Sequence, residues 1–458
     1  MSDPQPRRAT AARGRRKRAD LTLTVEGYKA IRQPNDLVVR PLTLISGANS
    51  SGKSSFIQPF LMLKQTLDSA FDPGPLLLYG PNVKITDYSQ LLSRGKSRQD
   101  VVKAFQIGMR QGNESRSLRF VERKSGLVIA SDVVGSHGRD VTLSESLTAV
   151  QTEALRDRFA NEAQQYVDLI GKNTDQSGDW SLEVYRNRCF LELFVLISDR
   201  DRKIRLNIGR NFGNNDQWVD LLRGIIHVPG LRGNPERAYA RSAVGDTYPG
   251  TFETYVASII YEWGESDGDK LVKLAAELER LGLTWKVSAR RLNDASIEIM
   301  VGRLPHAQQG GAFDLVSVAD VGFGVSQTLP VIVALLAAKP GQIVYIEQPE
   351  IHLHPRAQLA LADSLVDAAN RGVRVIAETH SSLLIRGVQT AVAERRLAAS
   401  DLSLNWFGRD AETGFQTISQ ANVDRSGRFG DWPLDFDDVS RDADWAFLDA
   451  VGGEDIQG

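Results

Sequence analysis

Cysteine is almost missing: Cys189 is the only one in 458 residues. A lone thiol excludes an intramolecular disulfide and a cysteine-based zinc site, and it suits a reducing compartment, so a cytoplasmic location is expected. No apolar run approaches the roughly 20 residues that cross a bilayer, so no membrane partner is expected. An excess of one charge is also lacking. Lys+Arg number 55 against 57 Asp+Glu, so no global field marks a nucleic-acid binder. Neither an internal repeat nor a long heptad array occurs, which excludes coiled-coil arms. The cations that do concentrate are Arg7, Arg8, Arg13, Arg15, Arg16, Lys17 and Arg18. No apolar stretch follows them, so they are not a secretory signal. This tail reads either as a solvated, disordered leader or as an electrostatic arm for nucleic acid or another acidic partner, and the sequence leaves both open.

What is present is a phosphate-binding loop. Gly47-Ala48-Asn49-Ser50-Ser51-Gly52-Lys53-Ser54 is a complete G-x-x-x-x-G-K-S pattern. The apolar, β-compatible run Leu42–Ser46 precedes it and a helix-compatible run from Ser55 follows, which is the context the motif requires. The glycines let successive N–H groups point at phosphate oxygens, and the helix N-terminus adds partial positive charge. Lys53 is expected to reach the β- and γ-phosphates, and the Ser54 hydroxyl to ligate Mg²⁺.

Strands are expected at Leu21–Val25, Leu37–Arg40 and Leu42–Ile45, with an antiparallel group at Ala104–Met109, Leu118–Val121 and Leu127–Ala130. Leu143–Ile170 is helix-compatible, Phe190–Ile197 and Ile225–Val228 read as strands, and Tyr255–Trp263 and Leu271–Leu281 as helices. A hairpin is expected from Trp285–Ala289 and Ile297–Val301. Helix and strand then alternate: Val331–Ala338, Gln342–Ile346, Arg356–Asn370 and Val373–Ala377. Such alternation predicts a parallel sheet covered on both faces.

The run Ile343–Glu347 ends in a carboxylate, which a strand beside the phosphate loop would deliver to the Mg²⁺ shell. Val373–Ala377 leads to His380 just past its C-terminal end, where ligands of parallel sheets bind. Three of the six histidines, His352, His354 and His380, fall in these two segments.

The order phosphate loop, Asp320–Gln327, Ile346-Glu347-Gln348-Pro349-Glu350-Ile351-His352-Leu353-His354-Pro355, then Glu378-Thr379-His380-Ser381 resembles the ABC-type ATPase heads. It is most similar to bacterial AAA family ATPases related to SMC, RecF and the overcoming-lysogenization-defect class. Gly27–Ile31 resembles the opening strand motif of that family, and Asp431-Trp432-Pro433 a tail motif of one subgroup. The similarity spans roughly residues 21–110 and 225–440. It implies an α/β P-loop NTPase fold with a parallel core sheet, an antiparallel β lobe and a large mixed insertion. The implied division is 1–20 basic tail, 21–135 N-terminal half of the head, 136–310 insertion, and 311–458 C-terminal half.

The resemblance implies roles for particular residues. Gly47, Asn49, Ser50, Ser51, Gly52, Lys53, Ser54 and Ser55 would cradle ATP, and Glu347 would hold Mg²⁺ with Ser54. His380 would donate to the γ-phosphate. His354 stands where such heads place the aspartate of the loop facing a second subunit. Gly322, Gly324 and Ser326 cover a degenerate signature segment, with no intact LSGGQ, that would complete the site of the opposite subunit. An ATP-dependent homodimer follows from that arrangement.

Gln348 departs from the pattern, because those ATPases place the water-polarising glutamate there. An amide cannot accept the proton, although it can orient a water. Three readings stay open: slow hydrolysis with Gln348 positioning water, Glu350 as base, or an ATP-bound clamp that rarely turns over. For the process served, the resemblance and the tail point to DNA maintenance or anti-phage defence. The alternative is a nucleotide-gated scaffold that captures or releases an effector protein. A transporter head fits less well, given the degenerate signature and the large insertion. No nuclease domain is expected in the 78 residues after His380 (458 − 380), so if the process needs cleavage a separate nuclease on another chain would supply it. Asp435, Asp437 and Asp438 read as an acidic surface loop rather than a metal site.

Overall fold

The computed structural model describes residues 19–430 apart from 98, 125, 172–178, 200–201, 208–214 and 304–313, together with Trp445. The cations Arg7–Arg18, the Asp431-Trp432-Pro433 motif and the Asp435–Asp438 cluster lie outside the described residues.

Along the chain come β1 (Leu21–Glu26), β2 (Asn35–Val39), β3 (Leu42–Gly47), α1 (Lys53–Asp68), β4 (Ala104–Gln111), β5 (Glu114–Arg123), β6 (Gly126–Ser136) and β7 (Arg139–Leu143). Next are α2 (Ala149–Gly171), β8 (Asp179–Asn187), β9 (Phe190–Asp199), β10 (Arg202–Asn207), α3 (Asn215–Arg223), β11 (Ile226–Val228), β12 (Tyr239–Ala240), α4 (Val256–Ser266), α5 (Gly268–Arg280), β13 (Val287–Arg291), β14 (Ser296–Gly302) and β15 (Leu315–Ser317). The last are α6 (Phe323–Ala337), β16 (Ile343–Glu347), α7 (Pro355–Asn370), β17 (Arg374–Glu378), α8 (Ser382–Ala393), β18 (Leu402–Arg409) and β19 (Gln416–Ala421).

The central sheet has the order β11-β16-β17-β3-β18-β19. Its first five strands run parallel, and only β19 is antiparallel. Strands buried on both faces should read as continuous apolar runs, and β3 and β17 are buried at every residue. Successive side chains still choose opposite faces. Leu42, Leu44, Val344, Ile346, Val375 and Ala377 join the core formed with α4 to α8. Ile45, Ile343, Tyr345 and Ile376 join the core formed with α1, α3 and the antiparallel lobe. On that second side Phe56 and Phe60 of α1 are fully buried, and Phe56 meets Phe407 edge-on at 5.8 Å. Burial of a phenylalanine contributes about 1.5–3 kcal/mol.

The lobe is a six-stranded antiparallel sheet, β2-β1-β4-β5-β6-β7. It runs past the expected boundary at 135, because the turn at His137-Gly138 folds β7 back along β6. Within the expected insertion, β8, β9 and β10 form a separate antiparallel sheet. A buried ion pair ties that sheet to the lobe. Arg116 meets Asp132 through Nε at 2.9 Å and Nη2 at 2.5 Å, and Asp132 Oδ2 accepts the Leu191 N–H at 2.9 Å. Also inside the expected insertion, β11 is a strand of the central sheet beside β16.

Two local expectations change. Residues 27–31 form a turn after β1, with Tyr28 bridged to Ile31, rather than a strand. The helix expected from Val331 starts at Phe323 and carries Pro330 inside it. An internal proline removes one helical hydrogen bond, and the burial of Val325, Leu329, Val331 and Ile332 offsets that loss.

Cys189 is fully buried, and burial pushes its thiol up to about 12. Thiolate is the reactive form. The native protein is therefore expected to leave a thiol–disulfide reagent unconsumed and to take up one equivalent after denaturation; uptake before unfolding would contradict this packing.

Candidate nucleotide site

β3 ends at Gly47 and α1 begins at Lys53, so the loop joins a buried strand to a helix N-terminus. Two glycines are needed for that path. Gly47 has φ 148°, and a Cβ there would lie 2.1 Å from the Phe407 carbonyl oxygen. Gly52 has φ 92° and faces the Gln416 side chain, which a Cβ would meet at 3.0 Å. Gly52 caps α1 without any side-chain hydrogen bond, so the first-turn N–H groups remain free for an anion. Asn49 and Ser50 are exposed, Ser55 is half-buried, and the Ser51 hydroxyl is buried without a partner. Arg409 Nε donates to the Ser50 carbonyl at 2.8 Å. Beside the loop opens a cleft of about 560 Å³, lined by Lys29, Arg94, Lys96, Arg409 and Phe415 among others.

The Lys53 ammonium donates to the carbonyls of Gly47 at 2.9 Å and Ala48 at 2.8 Å. Burial lowers its pKa, and the nearby charges of Glu378 and Glu350 oppose that shift. The Ser54 hydroxyl donates to Glu378 Oε2 at 2.8 Å. The other oxygen of Glu378 accepts the Tyr345 hydroxyl. Burial, reinforced by the charge of Glu347, pushes the Glu378 carboxyl up to about 7.

Glu347 ends β16 directly opposite Glu378, which ends β17. Its Oε1 lies 3.1 Å from His227 Nε2, and its Oε2 accepts the Gly230 N–H at 3.1 Å. Asn82 Nδ2 donates to the Gly250 carbonyl at 2.9 Å and lies 3.1 Å from His227 Nδ1. That assignment makes Nδ1 the acceptor and leaves Nε2–H to donate to Glu347. The hydrogen bonds of His227 and Gly230 hold Glu347 below the usual carboxylate range, although burial opposes them. Arg232, itself buried, donates to the carbonyls of Glu347 at 2.6 Å, Gln348 at 3.2 Å and Gln327 at 3.1 Å. It thereby fastens the end of β16 to helix α6.

Gln348 takes a left-handed backbone, φ 46°, while its N–H continues the ladder to the Glu378 carbonyl at 2.9 Å. Glu350 turns back under the site, where its Oε1 accepts the His380 N–H at 2.8 Å and its Oε2 is buried without a partner. Burial raises its pKa. His380 is pushed the other way by burial and by the charge of Lys53. Lys53, Ser54, Glu347, Glu350 and His380 therefore gather at one edge of the central sheet.

Gly322, Gly324 and Ser326 lie elsewhere, at the start of α6. Gly322 caps that helix with no side-chain hydrogen bond, and Gly322 and Phe323 are exposed. Phe323 packs on His352 at 5.7 Å, and the His352 carbonyl borders Gly324. His354 caps α7, its Nδ1 accepting the Arg356 N–H at 3.4 Å. Residues 322–326 and the His352–His354 loop thus share one face, with a second open helix N-terminus on it.

His227, Arg232, Tyr345 and Glu378 were missed as site residues. The signal for Glu378 was present, because two neighbouring strands each end in glutamate. His227 and Arg232 carry no local pattern and are brought in by tertiary packing alone. Among the described residues no three His, Cys, Asp or Glu side chains form a self-sufficient metal cage; a cation held by one or two carboxylates plus phosphate oxygens does not need one.

Residues 257–386 match a family described as "AAA domain, putative AbiEii toxin, Type IV TA system". No curated protein matches the chain in sequence. Among solved structures the chain is similar to an SmcHead bound to the C-winged helix domain of ScpA (12% identity, 89% of this chain and 99% of that one, TM-score 0.44). It is also similar to an SMC head domain from Thermotoga maritima (10%, 88% and 100%, 0.41) and to a Smc head with an extended coiled coil bound to the C-terminal domain of ScpA, from Pyrococcus furiosus (11%, 89% and 97%, 0.42). Among the described residues no helix is long and apolar enough to cross a membrane.

Proposed function

We propose that the protein is an ATP-binding, Mg²⁺-dependent ATPase of the ABC-type head class that pairs with a second copy when ATP is bound. One observation carries the reading: the Gly47–Ser54 loop joins a buried parallel strand to an uncapped helix N-terminus, with Lys53, Ser54, Glu347 and Glu378 at its mouth. The loop suits a polyphosphate, since the start of α1 is uncapped and its first-turn N–H groups are free for an anion. A hydroxyl beside carboxylates fits Mg²⁺, a hard cation that takes oxygen ligands.

In this reading Lys53 exchanges the Gly47 and Ala48 carbonyls for the β- and γ-phosphates. Ser54 and Glu347 hold Mg²⁺, and His227 and Gly230 orient Glu347. Bound Mg²⁺ neutralises phosphate charge and orients the triphosphate. His380 donates to the γ-phosphate, with its backbone fixed by Glu350. For the proton acceptor the arrangement favours Glu350 over Gln348. Glu350 is a carboxylate at the His380 and Lys53 edge, whereas the amide of Gln348 has no basic atom.

Pairing is supported by the exposed start of α6 and the His352–His354 loop on one face, which suit the γ-phosphate of a partner's nucleotide. The matched family description names a putative AbiEii toxin of a type IV TA system, which is in keeping with a role in defence; DNA or a separate effector protein, such as a nuclease, is the partner this reading assigns. The test is to size the protein with and without ATP, Mg²⁺ and DNA while following phosphate release. ATP with Mg²⁺ is expected to double the mass of the 50.5 kDa chain. DNA-stimulated phosphate release would favour a nucleic-acid process, and DNA-insensitive pairing a scaffold for an effector. A monomer under every condition would overturn the shared site.

A further inference from the structure

We propose, resting on the nucleotide reading above, that Glu378 is itself a ligand of the divalent cation that accompanies the nucleotide, sharing it with Ser54 and Glu347. The first support is position. The carboxylate in hydrogen-bond contact with the phosphate-loop hydroxyl is Glu378, at 2.8 Å from Ser54. Both oxygens of Glu347, by contrast, already contact protein groups on the β11 side, His227 and Gly230.

The second support is the chemistry of burial. Glu378 is only 2% exposed, and its hydrogen-bond donors are two neutral hydroxyls, of Ser54 and Tyr345. The nearest protein cation, Lys53, spends its hydrogen bonds on the carbonyls of Gly47 and Ala48. A second carboxylate, Glu347, stands at the same register on the neighbouring strand. A divalent cation reverses the relation, because it turns mutual repulsion into shared attraction.

The third support is independent of the acidic pair. In the same loop Ser51 is 2% exposed and its hydroxyl is unpartnered, close to Gly47. The Tyr345 hydroxyl lies among Glu378, Glu347 and Ser54 and interacts with each. It fixes the two carboxylates relative to the serine, a placement that neither strand alone provides.

The experiment measures affinity for a fluorescent, non-hydrolysable ATP analogue in EDTA and over a Mg²⁺ series. It compares the full chain with Glu378→Gln, Tyr345→Phe and Ser54→Ala. Glutamine keeps the size of Glu378 and removes its charge, with one of its two acceptor oxygens becoming an NH₂ donor, and melting curves verify folding. In Glu378→Gln the Mg²⁺-dependent gain in affinity is expected to fall at least ~10-fold, the loss typical even when an outer-shell partner of a metal ligand is removed. Affinity in EDTA should stay within about threefold, since phosphate binding by the loop itself is untouched. A positioning role alone predicts instead that Tyr345→Phe lowers the gain as far as Glu378→Gln does, and that result overturns the assignment. So does an unchanged Mg²⁺ gain in Glu378→Gln while Ser54→Ala loses it. Absence of analogue binding by the unmodified chain would overturn the nucleotide reading and this inference with it.

Discussion

Replacing Lys53 by alanine is expected to remove nucleotide binding, with loss of affinity far exceeding any loss of stability. In the free protein Lys53 is a buried ammonium on two loop carbonyls, and burial lowers its pKa. That is a poor resting place for a charge, so little is sacrificed when the ammonium moves to a phosphate. Losing one partner of a desolvated charge pair costs about 2–5 kcal/mol in binding, or roughly 30-fold to several thousand-fold in affinity. In the unliganded state the substitution removes the two carbonyl contacts and also relieves a desolvated charge, so the two effects oppose each other. Equilibrium binding of labelled ATP beside thermal melting separates the outcomes. Tight binding by Lys53→Ala would show that the loop does not grip phosphate. A collapse of melting temperature equal to the loss of affinity would make Lys53 a structural residue.

The local part of this site was legible in the sequence because its residues are adjacent. Gly47 to Ser54 is one uninterrupted motif, and its flanking strand and helix follow from short apolar patterns. The parallel sheet was legible for a similar reason: Ile343–Glu347 and Val373–Ala377 are largely apolar runs that alternate with helices. What could not be read is the order β11-β16-β17-β3-β18, which brings together residues from opposite halves of the chain. Ser54 and Glu378 are 324 residues apart and touch only because β17 lies beside β3. His227 belonged to a stretch expected to be an insertion, yet β11 joins the central sheet and stacks its imidazole on Tyr345 at 5.3 Å. The start of α6 was obscured by Pro330, whose local cost is visible in sequence while the burial that offsets it is not. The open helix end beside His352 therefore emerged only from the packing of α6 against the loop before α7.

The second large effect concerns Glu350. Glu350→Gln is expected to lower the single-turnover rate of ATP hydrolysis by about 100-fold or more, the range general-base catalysis supplies, while ATP affinity changes only a few-fold. The amide at Gln348 cannot take a proton from water. Glu350 is the next carboxylate along the chain; its Oε1 is fixed by the His380 N–H, and its Oε2 is buried without a hydrogen-bond partner. Burial raises its pKa above the ordinary carboxylate range, which makes its anion a better proton acceptor near neutral pH. The sign of the pH dependence follows. An acceptor must be ionised to act, so the rate should rise with pH through the raised pKa and level off above it. Glu350→Gln should abolish that acidic limb along with most of the rate. Gln348→Glu should restore turnover in the Glu350→Gln background if only a missing base limits the reaction. An unchanged single-turnover rate in Glu350→Gln would remove Glu350 as the base and leave Gln348 as a water-orienting group. In that case the chain would act chiefly through its ATP-bound state, and release of a partner would be timed by a slow reaction that no carboxylate assists.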